Sequence, residues 1–180
     1  TVTEYRPEDR SVAETEILEE SSLTEKDSFS ILTWNIGYAG LDSDADFFMD
    51  GGKMVNPVSQ EHVENNLSSI SDYLKSSQDD IYLLQEIDRQ SKRTDYRDEL
   101  SYISESANLS WAYATNYRCN FVPYPFPPIG KMDAGIATMT NHQTSGDSER
   151  ISLPCPFSWP VRTANLKRCL LVSRFPIDDS

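Results

Sequence analysis

Two short apolar runs constrain this chain more than anything else in it. Ser30-Ile31-Leu32-Thr33-Trp34-Asn35-Ile36-Gly37-Tyr38 is rich in β-branched and aromatic residues, ends on one amide side chain, and is followed by a glycine that lets the backbone turn. Asp80-Ile81-Tyr82-Leu83-Leu84-Gln85-Glu86-Ile87-Asp88 repeats the plan and ends on a carboxylate. Between them, Val63, Leu67, Ile70 and Leu74 fall at i, i+4, i+7 and i+11, a single apolar stripe that predicts a helix over 57–76. Strand, helix, strand in this span is the βαβ unit of a layered α/β protein. With 180 residues the chain is long enough to build a real core around it.

The remaining pattern extends the layers. Tyr96, Leu100, Ile103 and Ala107 predict a second helix over 95–107, and strands are expected over 111–117, 134–141 and 170–175. Phe121 to Gly130 carries four prolines, which remove donors and fix φ, so it reads as neither a helix nor a central strand. Residues 1–27 are acidic and read as a solvated arm, with a short strand near 12–18 as the alternative. The domain proper is then 28–180.

In an open α/β sheet, chemistry gathers at the carboxyl ends of strands, where Asn35 and Glu86 both fall. A carboxylate and an amide oxygen are hard donors, suited to Mg²⁺ or Mn²⁺ rather than zinc. Magnesium takes few protein ligands, so two residues can be most of a site. The bland alternatives are a turn amide and a solvated strand-end charge. Asp42, Asp44, Asp46 and Asp50 in the following loop imitate calcium-loop spacing, but Phe47 stands where an EF-hand needs glycine. Cys119, Cys155 and Cys169 form no zinc pattern and are compatible with one disulfide or three thiols. A formal charge of −13 excludes a general nucleic-acid coat, which needs a basic face. It leaves room for an enzyme that handles phosphate with a metal and a few local cations. No run of about 18 apolar residues crosses a membrane, and nothing in the sequence sets the compartment.

Thr33-Trp34-Asn35-Ile36 and Leu84-Gln85-Glu86-Ile87-Asp88 resemble the first two motifs of the endonuclease/exonuclease/phosphatase superfamily, and Gly135-Ile136-Ala137-Thr138-Met139-Thr140 is similar to its glycine-led middle strand. The chain looks like the N-terminal portion of a bacterial member. The resemblance implies an α/β fold, the N-terminal portion of a four-layer sandwich of two mixed sheets flanked by helices. It implies a divalent-metal-dependent phosphoesterase, with Asn35 and Glu86 binding or orienting Mg²⁺ (or Mn²⁺). The substrate would be a phosphodiester or phosphomonoester in a nucleic acid, a phospholipid or a small phosphate ester.

The family's later Asn-x-His, Gly-Asp-x-Asn and Asp-His motifs do not occur before Ser180, and neither His62 nor His142 fits them. The expectation is therefore an incomplete domain, inactive alone, with a sheet edge open to self-association. Between Arg150 and Arg174 stand five basic residues and no acid. Arg162 and Lys167 are the first candidates for phosphate contact, with Lys92 and Arg93 behind Glu86 as the second. The alternative for these cations is protection of strand edges. The proline-aromatic stretches 121–130 and 153–161 are a substrate wall, a lipid-touching lip or simple loop packing. Two rival functions follow: a non-catalytic binding module on the same scaffold, and a lipid phosphodiesterase working at a membrane surface.

Overall fold

The computed structural model describes residues 4–18, 28–43, 45–48, 51–57 and 59–176. Asp44 and Asp50 of the acidic loop, and Glu19, Glu20, Glu25 and Asp27 of the acidic arm, lie outside the described residues. The elements run β1 (Arg10–Val12), β2 (Glu14–Glu16), β3 (Ile31–Asn35), α1 (Gln60–Ser77), β4 (Ile81–Asp88), α2 (Glu99–Ala107), β5 (Ser110–Val122), β6 (Gly130–Thr140), β7 (Glu149–Ser152) and β8 (Cys169–Val172). The protein has an α/β fold. A five-stranded sheet has the order β2-β5-β6-β4-β3, and a three-stranded sheet the order β1-β7-β8. β3 and β4 are parallel, as a helical crossover requires, and the other pairs of the larger sheet are antiparallel. The larger sheet is thus mixed. The smaller one is wholly antiparallel rather than mixed, since β1 and β8 each run antiparallel to the central β7.

Both helices lie on one face of the larger sheet. Val63, Leu67, Ile70 and Leu74 of α1 and Leu100, Ile103 and Ala107 of α2 pack on Tyr82, Leu84, Tyr113, Ala137 and Met139. Each buried Val, Leu, Ile or Met side chain among them contributes about 1.5–3 kcal/mol by leaving water. Ser59 caps α1 by accepting from the His62 N–H at 3.1 Å, which starts this helix three residues later than periodicity predicts. α2 starts four residues late. Asp95 and Tyr96 take left-handed φ of 51° and 60°, so the chain turns before Asp98 caps the helix through the Ser101 N–H. Tyr96 is consequently exposed rather than part of the buried face.

The N-terminal stretch is not simply a solvated arm. Its residues 10–16 pair with both sheets, β1 along β7 and β2 along β5, with Ala13 buried between them. All three residues of β2 are exposed, as an edge strand of the larger sheet allows. Between the sheets sits Arg150, which is buried and donates to the carbonyls of Thr115 and Lys167, both at 3.0 Å. All three cysteines are free. No helix among the described residues is long and apolar enough to cross a membrane.

Candidate metal centre

Parallel pairing sets Asn35 opposite Gln85, so the end of β3 falls one residue short of Glu86. At that point β4 departs from regular alternation. Tyr82 and Leu84 point into the helix layer, and Glu86 would follow them into the core. A bulge between Gln85 and Ile87 inserts one extra residue against β6. Ile87 then takes the buried place, and Glu86 turns outward with a left-handed φ of 58°. A left-handed glutamate is a strained backbone, the kind held at functional positions by surrounding structure. Gly135 on β6 permits the close packing opposite. A Cβ there would stand 2.3 Å from the Ala114 carbonyl oxygen and 2.5 Å from the Tyr113 ring.

Asn35 meets Glu86 directly. Its Nδ2 donates to Glu86 Oε1 at 3.0 Å, while its Oδ1 accepts the Gly37 N–H at 2.9 Å. The second bond decides the first: a backbone N–H must face the amide oxygen, so the NH₂ faces the carboxylate. Gly37, Tyr38 and Ala39 all hold positive φ, of 56°, 44° and 49°. Two side chains clamp this strained turn. Asn66 of α1 donates to the Ala39 carbonyl at 2.9 Å, and the Arg93 guanidinium lies 3.4 Å above the Tyr38 ring.

Beneath the turn is an ionic cluster that sequence reasoning missed. Asp88 is fully buried and receives both Arg93 Nε at 2.7 Å and Nη2 at 2.9 Å. Burial opposes the Arg93 cation, but the charge and hydrogen bonds of Asp88 outweigh it and hold the guanidinium more firmly protonated than usual. Glu99 Oε2 accepts the Asp88 N–H at 2.8 Å. Burial first, and the Asp88 charge second, push the Glu99 carboxyl well above its ordinary range, against that N–H and the Arg93 charge. The available signal was Asp88 itself. Its position after a buried residue in an apolar run called for a partner, and Arg93 follows five residues on.

The other predicted residues distribute as follows. Arg93 is engaged by Asp88 and by the Tyr38 ring, which makes it a support of the turn after Asn35. Lys92 is exposed in the turn after β4, packed against Gly130. Arg162 and Lys167 converge on the Glu4 carboxylate, at 3.1 and 3.4 Å, rather than on Glu86. The Arg162 contact is an ion pair without an aligned hydrogen bond, since its Nε has no hydrogen-bond partner. Burial would raise the Glu4 carboxyl, yet the hydrogen bonds of Arg6 and Lys167 and the charges of Arg162 and Arg6 hold it below its ordinary value. His62 sits against Asp42, which also accepts from Asn66 at 2.7 Å. His142 pairs with Asp80 at 3.1 Å, at the opposite end of the sheet from Glu86.

The donor chemistry fits a hard cation held lightly. Glu86 is exposed, and one of its roughly four lone-pair sites is used by Asn35. Among the described residues no three His, Cys, Asp or Glu side chains converge as a metal cage.

No family model matches the chain, and no curated protein matches it. Among solved structures it is similar to an endonuclease/exonuclease/phosphatase from Beutenbergia cavernae DSM 12333, with 14% identity and a TM-score of 0.42 over 71% of this chain and 35% of that one. It is also similar to an endonuclease/exonuclease/phosphatase family protein from Leptotrichia buccalis C-1013-b, with 12% identity and a TM-score of 0.40 over 84% of this chain and 55% of that one. The chain thus spans about a third and about half of these two proteins.

Proposed function

We propose that the ends of β3 and β4 form the metal-holding part of a divalent-metal-dependent phosphoesterase. One observation carries the reading. The fold strains its backbone at Glu86 to turn a carboxylate outward, and Asn35 donates a hydrogen bond to it at 3.0 Å. In this assignment Glu86 is the ligand. Asn35 is a positioning residue that fixes the carboxylate and thereby tunes its basicity. Mg²⁺ (or Mn²⁺) held there would polarise a phosphoryl oxygen and neutralise charge on the leaving oxygen. Lys92, exposed in the turn directly after β4, is the cation best placed to meet a phosphate oxygen. Arg162 and Lys167 carry less of that role, because Glu4 already shares their charge.

The described residues supply one carboxylate and its orienting amide, so the 180-residue chain is expected to bind metal weakly and to hydrolyse little by itself. β3 has no strand on its far side among the described residues, and Ile31 on it is half exposed. That is the edge through which further chain, or a second copy, would pair.

The test is a Mn²⁺ titration followed by NMR line broadening. Broadening centred on residues 35–37 and 86 is expected, abolished by Glu86→Gln and weakened about 10–100-fold in affinity by Asn35→Ala. Broadening centred on Asp42 and Asp46 and indifferent to Glu86→Gln would overturn the assignment. Mg²⁺-dependent cleavage of a generic phosphodiester by the 180-residue chain, lost in Glu86→Ala, would overturn the expectation that it hydrolyses little by itself.

A further inference from the structure

The loop joining β5 to β6 and the loop leading from β7 toward β8 present aromatic side chains to water. Phe126 is 92% exposed, Tyr124 75% and Trp159 72%. Between the loops opens an apolar cavity of about 860 Å³, floored by Tyr117, Val122 and Ile129 and walled by Phe48 and Val161. It lies at the same end of the larger sheet as Glu86. Phe48 is reached from the strained turn after Asn35 through Tyr38 and Phe47, with ring centres 6.3 and then 5.0 Å apart.

Charge is distributed unevenly around this surface. The chain has 29 acidic residues, yet between Glu105 and Asp147 the only one is Asp133, and none occurs from Arg150 to Arg174. Asp133 is buried and takes both Arg118 Nε at 3.1 Å and Nη2 at 3.2 Å. The loops therefore carry no free carboxylate, whereas Arg168 is exposed at their base, where its carbonyl accepts the Leu153 N–H at 2.8 Å. Arg162 and Lys167 flank the cavity and share one Glu4 between them, leaving a net positive charge.

We infer that the two loops are a docking surface for a phospholipid bilayer containing anionic lipid. The rings choose this occupant. Phe126 and Trp159 project beyond the cavity and take no part in its lining, so a small molecule bound inside would leave them in water. Tryptophan and tyrosine, each with an apolar body and a polar tip, suit the headgroup boundary. The local basic side chains act on anionic headgroups within a Debye length of about 8 Å, while carboxylates elsewhere are screened. A second copy is the poorer fit, because the same basic side chains, Arg162, Lys167 and Arg168, would face one another across the contact. The inference does not depend on the metal: a chain that binds no cation would still bind vesicles.

The test uses the whole chain with vesicles of phosphatidylcholine containing a minor fraction of phosphatidylglycerol. Co-sedimentation is expected, with a blue shift of tryptophan emission and quenching by brominated lipid. Trp111 is buried and Trp34 is half-buried on β3, away from both loops, so Trp159→Phe should remove most of both optical signals. Phe126→Ser with Tyr124→Ser should lower the bound fraction at least tenfold with an unchanged circular dichroism spectrum. Should that double variant misfold, quenching of the unaltered chain still decides. Absence of sedimentation together with an unmoved tryptophan spectrum overturns the inference. So does a lipid-free dimer that the same double variant abolishes, which would make the surface a self-association site.

Discussion

Replacing Glu86 by alanine and by glycine separates the backbone role of this position from its chemical one. Both substitutions delete the contact with Asn35, which is exposed to water and contributes on the order of 0.5 kcal/mol. They differ in the backbone. At a φ of 58° a residue with a Cβ is disfavoured by about 1–2 kcal/mol, and glycine is not. Glycine gives back about 0.4–1 kcal/mol through the larger freedom of its unfolded chain. The glycine variant should therefore be more stable than the alanine variant by about 0.5–1 kcal/mol. That is a rise of roughly 1–4 °C in melting temperature for a chain of this size. Alanine should fall below the unaltered protein, and glycine should match or exceed it. Urea unfolding with an unchanged m-value measures the difference. Mg²⁺ at ten times its dissociation constant would add about 1.4 kcal/mol to the unaltered chain and nothing to either variant. A glycine variant less stable than alanine by the same margin would refute the left-handed bulge. Equal Mg²⁺ stabilisation of all three would refute Glu86 as the ligand.

Two further outcomes follow from the buried cluster. Glu99 has a folded pKa raised above its unfolded value of 4.5, so the folded state holds the proton more tightly. Its contribution to stability is complete below pH 4.5 and is lost as pH rises toward the folded pKa. Glu99→Gln should flatten that decline above pH 4.5 in a series of urea melts, and an unchanged slope would show that another group titrates there. Arg93→Ala leaves the Asp88 carboxylate buried without its cation, and should destabilise by about 3–5 kcal/mol. It should also loosen the turn after Asn35, seen as faster amide exchange at Gly37 and Tyr38; a loss under 1 kcal/mol would mean that water reaches Asp88.

Much of this protein is legible in one dimension because its signals are local. The stripe Val63, Leu67, Ile70, Leu74 declares a helix whose buried face the structure repeats residue for residue. The runs 31–35 and 81–88 declare strands, and their polar ends mark where Asn35 and Glu86 lie. Residue types also sufficed to name the donors as hard oxygens. What depended on distant neighbours was illegible. That Glu86 faces outward follows from a bulge, and the bulge requires Gly135 and Tyr113 on two other strands. Which atom Asn35 turns to the carboxylate follows from the Gly37 N–H. Arg93 read as a phosphate ligand because sequence shows a charge and not its partner; the fold buries that charge against Asp88. The acidic segment ahead of β3 read as solvated because its partners, β5 and β7, lie roughly a hundred residues away in the chain. Periodicity and side-chain chemistry belong to neighbours in sequence, so the chain alone determines its strands, its helices and its hard-oxygen donors. Direction, pairing and burial belong to neighbours in space, and only packing decides which of those charges faces the solvent.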